Sequence, residues 1–112
     1  MAETQVICTL DEIGDPGSRG FSLRRGDQVT QAFVVQRDGE VYAYHNRCPH
    51  TGAPLDWVEH RFLDLEQAYI QCATHDARFE IDSGVCITGP CPGASLQPIA
   101  IEVVGGQVRI AR

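Results

Sequence analysis

Two short clusters carry the chemistry of this chain of 112 residues: Cys48-Pro49-His50 and Cys72-Ala73-Thr74-His75, separated by the segment Thr51 to Gln71. Each cluster offers one thiol and one imidazole. Thiolate is a soft ligand and imidazole a borderline one, so the set suits zinc, copper or an iron–sulfur cluster and excludes metals that prefer hard oxygen ligands. A Cys₂His₂ zinc site is the plainest occupant. Zinc fingers, however, group a Cys pair ahead of a His pair on a ββα unit. Here each cluster mixes the two ligand types, and the surrounding sequence has strand character.

The elements that must hold these clusters are short. Eleven glycines and six prolines punctuate runs rich in Val, Ile, Phe and Tyr, the pattern of many short strands. Residues 31–37 and 40–45 alternate around Asp38-Gly39, a dipeptide suited to a type I′ turn, and predict a hairpin. A second hairpin is predicted from 99–104 and 107–110 around Gly105-Gly106. Shorter strands are expected at 6–10, 21–23, 68–71, 78–81 and 85–88. Between about residues 45 and 98 the chain is broken repeatedly, by Pro49, Gly52, Pro54, Gly84, Gly89, Pro90, Pro92 and Gly93. Residues 55–66 carry Asp56, Glu59, Asp64 and Glu66 against Arg61 alone, and read as a solvated acidic loop with room for a helical turn. No repeat of about 20 to 50 residues is present.

C-P-H-T-G-A-P-L at 48–55 and C-A-T-H at 72–75 resemble the two ligand loops of the Rieske [2Fe-2S] family. F-E-I-D-S-G at 79–84, Gly89-Pro90 and the terminal hairpin are also similar, so the resemblance runs over roughly residues 29–110. In that family one iron is held by two cysteines and the other by two histidines. The resemblance thus implies one [2Fe-2S] cluster per chain, with Cys48 and Cys72 on the inner iron and His50 and His75 on the outer one. It also implies an all-β fold of stacked antiparallel sheets. The terminal strands and the 31–45 hairpin form the base, and a cluster-binding subdomain at about 46–92 is inserted within a single domain of residues 1–112.

The same resemblance bears on potential. Two ferric ions, two sulfides and two thiolates sum to zero, so a cluster with neutral histidines accepts an electron more easily than an all-cysteine one. High-potential relatives place a Ser and a Tyr after the second histidine, where this chain has Ala77 and Phe79, and a loop disulfide, where it has Ala53 and Thr74. Asp76 replaces the usual Gly and adds a carboxylate, and Ala73 replaces the usual Pro. Fewer hydrogen bonds to the cluster sulfurs and an added negative charge both disfavour reduction. A potential toward the low end of the family range of about −150 to +300 mV is expected.

Composition excludes other classes. Lysine is absent, nine arginines face fifteen acids, and the net charge of −6 does not suit nucleic acid. The longest apolar run, such as 32–35, is far shorter than the roughly 18 residues of a membrane span, and the first residues, Met-Ala-Glu-Thr-Gln, lack the features of a secretory signal. A cytoplasmic monomer without membrane or nucleic-acid partners is expected. Five cysteines cannot all pair within one chain. Cys86 and Cys91 read as a reduced pair in a turn, and Cys8 as a small buried hydrophobe. His45 and His60 read as surface or structural residues, and Trp57 as packing beneath a loop.

No nucleophile-elbow, zincin or P-loop motif occurs. The expected role is an electron-transfer protein and not an enzyme: a ferredoxin between a flavin reductase and a terminal oxygenase. The alternatives are a small Rieske subunit of a nitrite-reductase-like complex and, in a different class, a zinc-stabilised binding module. An acidic carrier calls for redox partners with a basic face and salt-sensitive docking.

Overall fold

β-branched and aromatic runs joined by two-residue turns favour hairpins, and hairpins account for most of the computed structural model. It describes residues 6–47, 55, 62–64, 67–72, 77–88 and 94–111. In chain order the elements are β1 (Val6–Thr9), the helical turn α1 (Leu10–Ile13), β2 (Gly17–Arg25), β3 (Gln28–Arg37), β4 (Glu40–His45), β5 (Ile70–Gln71), β6 (Arg78–Phe79), β7 (Cys86–Thr88), β8 (Ile101–Val104) and β9 (Gln107–Ile110). They form three antiparallel sheets, β1-β9-β8, β2-β3-β4 and β5-β6-β7. The all-β expectation is borne out, and the third sheet is inserted in sequence between β4 and β8. None of the described helices is long and apolar enough to cross a membrane.

The unbroken run Ala32-Phe33-Val34-Val35 explains the stacking. All four residues are buried, which a strand achieves only when both of its faces are covered. Ala32 and Val34 join Cys8, Leu23, Ala43, Ile99 and Val108 on one side. Phe33 and Val35 join Tyr44, Leu55, Phe62, Ile70, Cys72 and Phe79 on the other. The middle sheet therefore serves two cores. Phe33 stacks on Phe62 with ring centroids 4.2 Å apart and planes 6° from parallel.

The β3–β4 turn forms as expected: Asp38 and Gly39 have φ of 54° and 80°, the left-handed pair that a type I′ turn needs. The Asp15 carboxylate accepts both of their N–H groups at 2.8 Å. β2 is longer than the predicted 21–23, because its pairing runs along β3 from Gly17↔Gln36 to Arg25↔Gln28. Ladder hydrogen bonds, and not an apolar pattern, define its polar ends. β1 stops one residue early. Thr9 and Glu12 form a capping box that turns Leu10 into α1, and the Thr9 amide holds the Glu12 carboxyl below its usual range. The buried amide of Gln36 donates to the carbonyls of Leu10 (3.2 Å) and Gly14 (2.9 Å), tying this turn to the middle sheet.

Residues 94–99 join the third sheet to the second. Cys86 N–H donates to Ala94 O (2.8 Å) and Leu96 N–H to Gly84 O (2.9 Å); His45 N–H then donates to Gln97 O and Ile99 N–H to Ala43 O, both at 2.9 Å.

One expectation is corrected at Asp64, which is buried and not part of a solvated acidic loop. Its carboxylate accepts the N–H groups of Ala68 (2.9 Å) and Tyr69 (3.3 Å), with Arg78 Nε 3.9 Å away. Turn amides satisfy the charge that the sequence pattern had assigned to solvent. Asp56, Glu59, Arg61 and Glu66 lie outside the described residues.

Candidate metal centre

Strand alternation sets the orientation of the one predicted ligand that is described. Ile70 and Cys72 are fully buried with Gln71 half-buried between them, the period of two of a pleated strand. The pairs Ile70↔Phe79 and Gln71↔Arg78 are followed by a hydrogen bond from Cys72 N–H to Ala77 O at 2.8 Å. Cys72 thus stands where the β5–β6 ladder ends, its N–H paired with the carbonyl of Ala77. His75 and Asp76 lie outside the described residues.

The residues on either side of the first cluster are held differently. Asn46 N–H donates to Gln31 O at 3.0 Å, and Arg47 N–H to His45 O at 2.9 Å. The side-chain oxygen of Asn46 then accepts the N–H of Leu55 at 2.7 Å, across the segment that carries Cys48 and His50. Those two residues, with Ala53, lie outside the described residues. Leu55 is fully buried in the same core as Cys72 and Ala77. The structure therefore brings Leu55, Cys72 and Ala77, which lie in or beside the two Cys/His clusters in sequence, onto one apolar cluster.

That environment fits an iron–sulfur group. Cys72 is walled by apolar side chains at no exposure, and a buried sulfur donor among hydrocarbons is what a soft metal centre takes and a hard ion does not. Ala77 and Phe79, at the positions considered for hydroxyl donors, are also fully buried.

The remaining thiols are used otherwise. Cys86 is buried and donates from Sγ to Thr88 O at 3.2 Å. Cys8 lies in the core on the other side of the middle sheet; burial pushes its thiol pKa up, the Glu12 carboxylate adds to this and Arg19 opposes it. His45 is half-buried at the end of β4. His60, Trp57 and Cys91 lie outside the described residues.

Sequence patterns had not singled out Asn46 or Tyr44, and had marked Gly84 without its partner. Asn46 shows no signal beyond standing two residues ahead of Cys48. Tyr44 donates its hydroxyl to Ile81 O at 2.7 Å inside the core; burial, then Asp82 and Tyr42, push its pKa up to about 12. Gly84, at φ 74°, lies so close to that ring that a Cβ would come within 2.8 Å of it. This accounts for the final glycine of F-E-I-D-S-G. A cavity of about 430 Å³ is lined by Glu40 and Tyr42 of β4 with Tyr69 and Asp82.

Comparison with known proteins agrees with this arrangement. Residues 3–105 match the family model described as Rieske [2Fe-2S] domain. No curated protein sequence matches the chain. Among solved structures, the ferredoxin of carbazole 1,9a-dioxygenase from Nocardioides aromaticivorans IC177 is 24% identical with a TM-score of 0.72, over 98% of each chain. The Sphingomonas yanoikuyae B1 ferredoxin is 20% identical with a TM-score of 0.70, over 98% of this chain and 99% of that one. A chain from the complex of reduced oxygenase and oxidized ferredoxin in carbazole 1,9a-dioxygenase is 20% identical with a TM-score of 0.72, over 96% and 92%. These likenesses establish a shared fold. The family match extends over nearly the whole length and contains both Cys/His clusters, so the chain belongs to the Rieske [2Fe-2S] domain family and binds a [2Fe-2S] cluster.

Proposed function

We propose that this chain is the ferredoxin component of an oxygenase system, a low-potential carrier that takes one electron at a time from a flavin-dependent reductase and passes it to a terminal oxygenase. The observation that carries the reading is the likeness, over 98% of each chain, to the ferredoxin of carbazole 1,9a-dioxygenase. In this reading Cys48 and Cys72 hold the inner iron and His50 and His75 the outer one, within a cluster-binding subdomain at about residues 46–92 of a cytoplasmic monomer.

The cluster, when bound, supplies a reversible one-electron change. The chain's own residues supply its setting. Cys72 offers its sulfur from a water-free wall of Leu55, Ile70, Ala77 and Phe79. Neither Ala77 nor Phe79 has a hydroxyl to donate toward a cluster sulfur, which supports a potential near the low end of the family range, about −150 mV.

Iron and acid-labile sulfide analysis with an EPR spectrum of the reduced protein tests the ligand set. Two irons, two sulfides and a rhombic signal are expected. A colourless zinc protein without sulfide overturns the reading. Direct voltammetry tests the potential, and reduction by a flavin-dependent oxygenase reductase tests the role.

A further inference from the structure

The residues that flank the two proposed ligand segments are held in different ways. In the second, the backbone closes the base, through Cys72 N–H to Ala77 O. The first is longer and contains Pro49 and Pro54, which have no N–H to give to a ladder. Here a side chain takes over. Asn46 is anchored to β3 through its N–H on Gln31 O, and its side-chain oxygen accepts the N–H of Leu55, the residue directly after Pro54. Leu55 is fully buried, and an amide entering a core needs a partner. The bond is therefore both obligatory and directional: it ties the strand that leads into the segment to the residue that ends it.

We propose that Asn46 is a positioning residue for the cluster, its amide oxygen setting the separation of the two ends of the segment that carries Cys48 and His50. The inference rests on the proposed assignment of those two residues as ligands. Asp at position 46 keeps an oxygen at the same reach. Leu keeps the approximate volume but leaves the Leu55 N–H buried without an acceptor, the costly way to lose a hydrogen bond.

The test uses the cluster-loaded protein. Release of iron to a ferrous chelator is followed by loss of visible absorbance, Leu55 amide exchange by NMR, and cluster symmetry by EPR of the reduced state. Asn46→Leu is expected to speed Leu55 exchange, release iron roughly tenfold faster and shift the EPR line shape. Asn46→Asp is expected to release iron within about twofold of wild type, since its oxygen still accepts the bond.

Faster Leu55 exchange in Asn46→Leu with wild-type release and an unchanged spectrum overturns the inference while leaving the ligand assignment intact. Wild-type protein without iron and sulfide overturns the assignment and this inference with it. If Asn46→Leu does not fold, Asn46→Asp decides: release within about twofold supports a positioning role, and roughly tenfold faster release overturns it.

Discussion

Cys72, a proposed ligand, is held by little: a two-residue strand, a buried neighbour at Ile70 and a ladder that ends at the thiol-bearing residue. Replacing Cys72 or His50 by Ala is expected to abolish the visible absorbance of the cluster. Cys86→Ser should keep it, because Cys86 is engaged with Thr88 on β7; an absorbance spectrum of each purified variant checks both statements. Potential belongs to the same scale. Ala77→Ser with Phe79→Tyr is expected to raise the midpoint by about 60 mV for each hydrogen bond that reaches a cluster sulfur. A charge-assisted bond of about 1.4 kcal/mol corresponds to about 59 mV for one electron, and voltammetry showing no rise would remove the hydrogen-bond account. Tyr44 makes a pH prediction. Its pKa, raised from 10.0 to about 12 chiefly by burial, means that the folded state holds the phenol proton more tightly than the unfolded state. Its contribution to stability is thus complete below pH 10 and is lost as pH rises toward 12, on the order of 2 kcal/mol. Denaturant titrations across that window should show the fall in wild type and a flatter profile in Tyr44→Phe.

The β6–β7 connection is the element in which local and distant demands meet. Gly84 has a positive φ, its N–H donates to Glu80 O at 2.7 Å, and the space where a side chain would start is filled by the Tyr44 ring. Gly84→Ala must therefore bear the left-handed penalty of about 1–2 kcal/mol and also push the ring away. A loss of about 2 kcal/mol or more in urea denaturation is expected, and a loss below about 0.5 kcal/mol would contradict the contact. The positive φ was foreseeable from a Ser-Gly turn sequence, whereas the ring was not, since Tyr44 lies forty residues upstream. The hairpins show the same division. Asp38-Gly39 announces its own turn, but the carboxylate that accepts its two N–H groups comes from Asp15. β2 is the clearest case of an element hidden by its composition. Ser18, Arg19, Ser22 and Arg24 show no apolar stripe, yet the strand pairs along nearly all of β3.

Across the whole molecule the middle sheet is shared between a core built with the terminal strands and a core that contains Leu55, Cys72 and Ala77. Phe33 and Phe62 couple that second core across sequence. The net charge of −6 acts at this scale as well. If partners dock through a basic face, the rate of reduction by the proposed reductase should fall as ionic strength rises from about 0.01 to about 0.15 M, where the screening length contracts from about 30 to about 8 Å. Stopped-flow reduction at a series of salt concentrations checks this, and a rate independent of salt would remove electrostatic docking from the account.

The family, read from two mixed Cys/His clusters, the hairpin turns and the all-β class were legible in the amino-acid order because each depends on residue type and on spacing over a few positions. The tertiary structure decided the rest. It made Ala32-Phe33-Val34-Val35 a strand buried on both faces, buried the Asp64 carboxylate on turn amides and set the side-chain oxygen of Asn46 on the N–H of Leu55. Those outcomes depend on which distant backbone groups and side chains a residue meets once the sheets stack. An acceptor for a buried N–H, or a wall around a thiol, exists only where separate stretches of chain converge.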